Sequence, residues 1–462
     1  MTLYTLRSWM SDKTFGYETT QVFRQNVLND LGIANYLLLG TPYSTPFWKE
    51  QLQAQGYKLD HVIILPHLYS DIDTCLRSYQ LDDFEADLTK KQILWKDKQI
   101  FSPTTAMYTT DEGYFDLNLT AEGNILSIIE RSKNLELKAV TSVFEKPFFT
   151  NFSDDSFCYY DKNGNIVLQG RIEDKECYYF FQGQKWTMID LFVNFLSDRI
   201  VPDQDIVLND QFISQTLETF CQDQGITYRF ILHYNHYFSQ KNVEGYNIKL
   251  GKEIFVASPY IIEPLAKDGI QAEFLPPIAI QVAQQPPRGL KSNKLLLVGN
   301  IYDHKRVAMA VQAMREVPDL ELHIYGGRDE VIQDFKNQHM IPDNVIFKGF
   351  VPSGQIPRSD YCAYLSCSLS EMFANAMVEC LGFGLIPILS RVDFGHNQVL
   401  EELGIYQQCG FDSIDDLVKA LKNLASLPFE DRQQLSNKIL DYANKFSYAE
   451  VQKQYKLALG YN

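Results

Sequence analysis

The sequence predicts an α/β protein of two parallel-sheet domains, with an antiparallel β-meander inserted into its N-terminal half. Three observations predict this. Short apolar runs alternate with amphipathic ones near the start and again in the second half. A period-two stretch between about residues 85 and 185 interrupts the first series. A proline-rich break then separates the first series from the second. With 462 residues, two or more domains are expected on size alone.

The opening "TLYTLR" reads as a strand and "TTQVFRQNVLNDLG" as a helix. "ANYLLLG", "FWKEQLQAQGY" and "HVIILP" continue as strand, helix and strand. "AMYTTDEGYFDLNL" and "FCYYDKNGNIVLQGRIEDKECYYFFQGQKW" then alternate, with turn signals at Glu112-Gly113 and Asn163-Gly164. This meander is expected to project from the first domain and offer an aromatic face to a partner or acceptor. The α/β pattern resumes at "MIDLFVNFLSDRI", "DIVLND", "QTLETFCQDQG" and "YRFILHYNHYF". The stretch "LPPIAIQVAQQPPRGLKSNK", with four prolines, reads as a linker. A second series follows: "KLLLVGN", "RVAMAVQAMREVP", "LELHIYGG", "VIFKGF", "YCAYLSCSL" and "LIPILS". From Phe429 onward the chain is amphipathic and reads as helical. The expected domains are 1–75 with 186–285, the meander 76–185, the second α/β domain 291–445, and a terminal helix 446–462 packing back on the first domain.

Bulk properties exclude some classes. A net charge of −16 argues against a general nucleic-acid binder. Eight scattered cysteines without a C-x-x-C pair read as free, mostly buried thiols in a reducing compartment. No basic region leads into an apolar core at the start, and no run reaches 18 apolar residues. A cytoplasmic protein is expected.

Candidate chemistry concentrates in "SEMFANAMVECLGFGLIPI", where Glu371 and Glu379 stand eight apart. "AYLSCSLS" reads as a buried strand and "FANAMVECLG" as the next helix, capped by Ser368 or Ser370. A helix start beyond a parallel strand offers free N–H groups to an anion. Glu371 is expected in the loop ahead of the helix and Glu379 two turns inside it. In "VGNIYDHKRVAMAV", Lys305-Arg306 opens a helix after a strand, and Lys305 can hold a diphosphate as a point charge. His233 and His236 follow a buried strand. Without further nearby ligands they fit the lining of a sugar site better than a metal pair. Gly16 precedes the first helix. "HIYGG" ends a strand in a Gly-Gly turn that permits close backbone approach. Each feature also has an ordinary reading, as a solvated or packed glutamate, a loop lysine, a packed histidine or a plain turn.

Together these pieces resemble the retaining GT-B glycosyltransferases of the glycogen-synthase and wall-polymer type. The likeness is to the bacterial subgroup with an inserted β-meander, which modifies serine-rich repeat adhesins or teichoic acids. Glu371 to Glu379 is similar to the family's E-x7-E, "FGYETTQVFR" to its SG-x-E helix entry, and "HYNHYF" to its H-x-x-H. The loop "VDFGHNQVLEE" is similar to the one that follows the glutamate motif in the family. The resemblance implies two Rossmann-like domains facing a cleft. It implies transfer of a hexose or N-acetylhexosamine from a UDP-sugar, with retention, to Ser/Thr of a surface protein or to a wall polymer. Catalytic roles fall on Glu371, His233 and His236, and donor binding on Lys305, Asn300, Glu379, Met372, Phe373 and Gly16. UDP-sugar serves as the donor substrate, with no cofactor or metal. A homologous glycosyltransferase subunit or a second copy of the chain is the implied partner, with an acceptor polypeptide or wall polymer and peripheral membrane contact. Three positions depart from the family pattern. Asn300 stands for the arginine, Met372 and Ala374 for the glycines of E-G-F-G, and the turn "RSWMSDKTFG" is not glycine-rich. These departures imply a weaker grip on the diphosphate. They leave an alternative open: a degraded GT-B subunit that binds acceptor and stabilises an active partner.

Overall fold

The computed structural model describes residues 1–8, 16–43, 45–174, 176–210, 214–232, 254–371, 373–393 and 395–461. The chain forms two compact units, Met1–Val22 with Gly32–Arg229, and Phe23–Leu31 with Phe230–Asn462.

A seven-stranded sheet has the order Ala272–Phe274, Ile254–Val256, Thr227–Leu232, Ile206–Asn209, Thr2–Arg7, Ala34–Leu39, Val62–Ile64. Thr2–Arg7 is parallel to both of its neighbours. Leu6, Leu38, Leu39, Val207 and Leu208 have no exposure. That is why these strands read as continuous apolar runs: a parallel sheet is covered on both faces.

The meander is a sheet of ten strands, from Trp95–Ser102 to Gln184–Thr187, each antiparallel to the next in chain order. It begins later than period two alone predicts, because Leu81–Lys90 is a helix. Gln80 and Asp83 form its capping box. Phe84 and Leu88 of that helix join Tyr79, Tyr108 and Leu117 in a small core of their own. The later half of the meander does not project. Phe149, Phe157, Tyr159, Leu168 and Tyr179 share one core with Leu6, Leu37 and Phe192. The Tyr179 hydroxyl also donates to the Gly40 carbonyl at 2.5 Å. Aromatics at alternate positions make this face a core surface, so it is not available to a partner.

The second unit carries a six-stranded parallel sheet in the order Val345–Gly349, Glu321–Tyr325, Lys294–Val298, Ala363–Ser366, Ile386–Ser390, Gly410–Phe411. The proline-rich stretch is no free linker. Ile278 and Ile280 are buried in this unit's core. The Ile280 amide donates to the Phe446 carbonyl at 2.9 Å, and the Ala283 amide to Gly382 at 2.8 Å. The terminal segment is two helices, Phe429–Ala443 and Tyr448–Ala458, divided by a short 3₁₀ turn. Within the same unit the Phe23 ring meets Tyr448 and Tyr455 edge-on, and the Tyr448 hydroxyl bonds the Asp30 carboxylate. Six of the eight cysteines are buried; Cys75 is exposed and Cys177 intermediate, and all are free thiols. Among the described residues no helix is long and apolar enough to cross a membrane.

Arg432 organises the far side of this unit. It is 6% exposed, and its guanidinium donates to the carbonyls of Leu424, Ala425, Leu427, Leu290 and Ser292 at 2.8–3.3 Å. Only a planar five-donor group reaches so many acceptors at once. Arg432→Met strands those carbonyls without donors and is expected to destabilise the protein by about 3 kcal/mol, with Arg432→Lys recovering less than half of that. Urea unfolding monitors the loss; a change below about 1 kcal/mol would mean that water serves the same carbonyls.

Candidate functional site

Strands Lys294–Val298 and Ala363–Ser366 are parallel neighbours, so the loops beyond their carboxyl ends are brought together. The first loop makes a 3₁₀ turn at Asp303–Lys305 and enters the helix Val307–Met314. The second carries Ser368 and Glu371. Two bonds join the loops. The Leu369 amide donates to the His304 carbonyl at 2.8 Å, and Arg306 Nε to the Cys367 carbonyl at 2.6 Å. Between them the Lys305 ammonium pairs with the Glu371 carboxylate. The Ser368 hydroxyl donates to that same carboxylate oxygen at 2.7 Å. From the next strand Ser390 Oγ donates to the Ser368 carbonyl at 2.6 Å, and His396 Nδ1 lies 3.0 Å from the Ser390 carbonyl.

The Glu371 side chain is 14% exposed. Burial pushes its carboxyl up, but Lys305 foremost, with His396 and Ser368, holds it below the ordinary carboxylate value. Glu371 is therefore an anion at neutral pH, with a cation against it.

The helix after this loop starts later than the sequence predicts. It spans Asn375–Leu381, and its N-cap is Ala374, without a side-chain cap bond. Neither Ser368 nor Ser370 caps it, because the helix starts beyond both of them; the Ser368 hydroxyl binds Glu371 instead. Glu379 is thus little more than one turn inside. Ala374 sits in the left-handed region, at φ 51° and ψ 67°, the conformation that glycine adopts most cheaply. Arg306 does the same at φ 47° before its own helix. Phe373 is a core residue. It is 5% exposed, its ring packed on Phe274 and Phe446, so its side chain is withdrawn from any ligand.

Glu379 pairs with Arg358 and accepts from the Ser353 hydroxyl at 2.6 Å. Arg358 is 4% exposed and donates also to the Ser353 carbonyl and hydroxyl, both at 2.6 Å. The Gly-Gly turn does bring backbones together: a Cβ on Gly326 would lie 2.1 Å from the Gly299 carbonyl oxygen. Asn300, next to Gly299, is half-buried and brings no charge.

Lys305 and Glu371 are thus brought together, while Glu379 is held in a separate pair. His233, His236 and Met372 lie outside the described residues. Gly16 opens the helix Gly16–Asp30, of which the part up to Val22 belongs to the first unit. Two residues on, Glu18 is fully buried and faces Arg7 at 3.5 Å. Gln21 accepts from Arg7 at 2.8 Å and donates to Asp210 at 2.6 Å. Sequence reasoning gave Ser368 a capping role it does not have, and missed Arg358 and His396. A serine three residues before a glutamate, and a histidine beyond the next strand, carry no distinctive spacing. Arg358 has no signal at all.

Residues 281–441 match the family described as glycosyl transferases group 1. Along its whole length the chain has the GT-B fold. A chain of the GtfA/B complex superposes with a TM-score of 0.80 at 18% identity, covering 100% of this chain and 99% of that one. The pneumococcal O-GlcNAc transferase GtfA, solved with UDP and GlcNAc, gives 0.77 at 18% identity, covering 100% and 98%. In sequence the chain is similar to the UDP-N-acetylglucosamine–peptide N-acetylglucosaminyltransferase GtfA subunit of Streptococcus parasanguinis. The two are 20% identical over 508 residues, covering 100% of this chain and 96% of that protein.

Two outcomes follow from this geometry. In Lys305→Met the largest group opposing the burial of Glu371 is lost, leaving only His396 and Ser368, so its folded pKa rises above the unfolded value. A raised carboxyl loses stability as pH rises through the unfolded value, whereas the depressed wild-type carboxyl gains there. Urea unfolding is therefore expected to show a deficit of the variant that is small near pH 4 and grows toward pH 7. A deficit independent of pH would contradict the pairing. Ala374→Gly relieves a left-handed alanine and is expected to stabilise by about 0.5–1 kcal/mol after the entropy cost of glycine. A lowered melting temperature would contradict that backbone conformation.

Proposed function

We propose that the chain is a UDP-sugar-dependent, retaining glycosyltransferase subunit. It transfers a hexose or N-acetylhexosamine to Ser/Thr of a surface polypeptide or to a wall polymer, together with a homologous subunit. One observation carries this reading. Lys305 and Glu371 meet at the adjoining carboxyl ends of two parallel strands, inside the region that matches the group 1 glycosyl transferases. In this reading Lys305 receives the donor diphosphate as a point charge. Glu371, released from Lys305, faces the donor sugar. The resemblance gives His233 and His236 a catalytic role, and the departing diphosphate assists deprotonation of the acceptor hydroxyl. Ala374 adopts the left-handed turn despite its methyl group, which supports a glycine-like loop path at a donor site. The GtfA relatives, one solved as a complex and one with UDP and GlcNAc, support the donor and the partner class.

A specific observation favours the second reading, a binding subunit that stabilises an active partner. Asn300 adds no cation, and Glu379 is already occupied by Arg358 and Ser353. The meander supports assembly in either case. Its edge strand Trp95–Ser102 exposes Ile100 and Phe101 at 62% and 64%, beside unpaired backbone.

Calorimetry with UDP separates the readings. A hydrogen bond to a charged group contributes roughly 1.5–3 kcal/mol, so the missing arginine weakens binding about 10- to 150-fold. The wild-type chain is expected to bind UDP in the high micromolar range (~10⁻⁴ M). Lys305→Ala should abolish binding, and Asn300→Arg should strengthen it by about that same factor. No UDP heat in either wild type or Asn300→Arg would leave the second reading standing.

A further inference from the structure

His396 is the buried titratable group that the reading above does not use. It begins the helix His396–Glu402 and has no exposure. Its Nδ1 lies 3.0 Å from the Ser390 carbonyl oxygen. A carbonyl only accepts, so Nδ1 carries the hydrogen and Nε2 is left as a bare lone pair. Nε2 is buried and has no hydrogen-bond partner among the described residues. A polar atom in that position is costly unless something completes it.

Few polar or charged groups among the described residues act on the ring. The strand Ile386–Ser390 supplies the Ser390 carbonyl, with Ser390 Oγ 3.4 Å from Nδ1. The loop after Ala363–Ser366 supplies Glu371, and the turn after Lys294–Val298 supplies Lys305. Among the described residues these are the two charged groups that act on the imidazole, in opposite senses. Burial foremost keeps the ring neutral; Glu371 favours the imidazolium, and Lys305 opposes it. The ring is also tied mechanically to the pair. Ser390 holds the Ser368 carbonyl, and Ser368 holds Glu371.

We propose that His396 is a positioning residue that fixes the Glu371–Lys305 pair through Ser390 and Ser368, and that its bare Nε2 takes up one solvent proton when a diphosphate draws Lys305 off Glu371. The second half rests on the donor reading given above. The electrostatics follow from the same charges. With Lys305 against Glu371, the cation opposes what the carboxylate offers the imidazolium, and burial keeps the ring neutral. A diphosphate on Lys305 cancels the opposing cation and frees the carboxylate. Both changes favour the imidazolium. One proton passes from water to Nε2 for each diphosphate bound, and no bond to carbon or phosphorus is involved.

The test uses the full chain with isotopically labelled histidine, the His396 signal being assigned by its absence in His396→Gln. At neutral pH the ring is expected as the Nδ1–H tautomer. Its titration midpoint should rise by about one pH unit in Lys305→Met and fall in Glu371→Gln. An Nε2–H tautomer, or a midpoint that neither variant moves, overturns the positioning role. Calorimetry of UDP binding in two buffers of different ionisation heat then counts protons. Uptake approaching one proton per UDP in the wild type, lost in His396→Gln, supports the linkage. UDP binding without uptake overturns the linkage and leaves the donor reading intact. Absence of UDP binding, with the tautomer and midpoint shifts in place, overturns the donor reading and leaves the positioning role supported.

Discussion

A carboxylate taken out of water must have a cation beside it, and Glu371 imposes that condition on the whole loop system of the second unit. An isolated buried carboxylate would cost several kcal/mol or become neutral. Lys305 meets the requirement from the loop of a neighbouring strand, and Ser368 adds a hydrogen bond to the same oxygen. The remaining contacts bring these groups into register. His304 and Arg306 bind the backbone of the opposite loop, and Ser390 binds the backbone of Ser368. The parallel pairing of strands Lys294–Val298 and Ala363–Ser366 makes such bonds possible, because it delivers both loops at one edge.

The same region carries backbone strain. Ala374 and Arg306 both adopt left-handed conformations at the starts of helices, at about 1–2 kcal/mol each relative to glycine. Neither loop could relax without losing its junction. Phe373 is held between Phe274 and Phe446, which fixes the residue before Ala374, while Arg306 is held by Cys367. The side chain at 373 thus acts as an anchor for a turn, a different role from the ligand contact its position in the motif implies.

Glu379 shows a second use of a paired carboxylate. Arg358 is nearly inaccessible and directs two nitrogens at Ser353 and Glu379. A ribose reaching for Glu379 must share that carboxylate with a guanidinium already in place. In the proposed donor reading, the departure at Asn300 and this prior engagement weaken the hold on two parts of one nucleotide. The likeness to proteins that hold UDP is therefore one of fold and loop path, with altered charges along that path.

The architecture was legible in the sequence because burial leaves a periodic trace. Strands such as Ile386–Ser390, covered on both faces, read as unbroken apolar runs, and the meander reads as alternation because each strand has two unlike faces. Lys305, Glu371 and Glu379 were legible from their spacing next to such strands. The helix Leu81–Lys90 was not, since its period is short and flanked by alternating segments. The proline-rich stretch looked free because proline marks breaks in regular structure, whereas its attachment depends on Phe446 and Gly382, far along the chain. Sequence alone determined which residue types stand at the ends of which strands. Only the tertiary structure decided that Lys305 faces Glu371, that Arg358 takes Glu379, that Phe373 turns inward, and that His396 lies behind the pair. Those outcomes depend on which parallel strands become neighbours and how their loops bond across. No local pattern encodes that: Arg358 and Glu379 are 21 residues apart, and Lys305 and Glu371 are 66 apart.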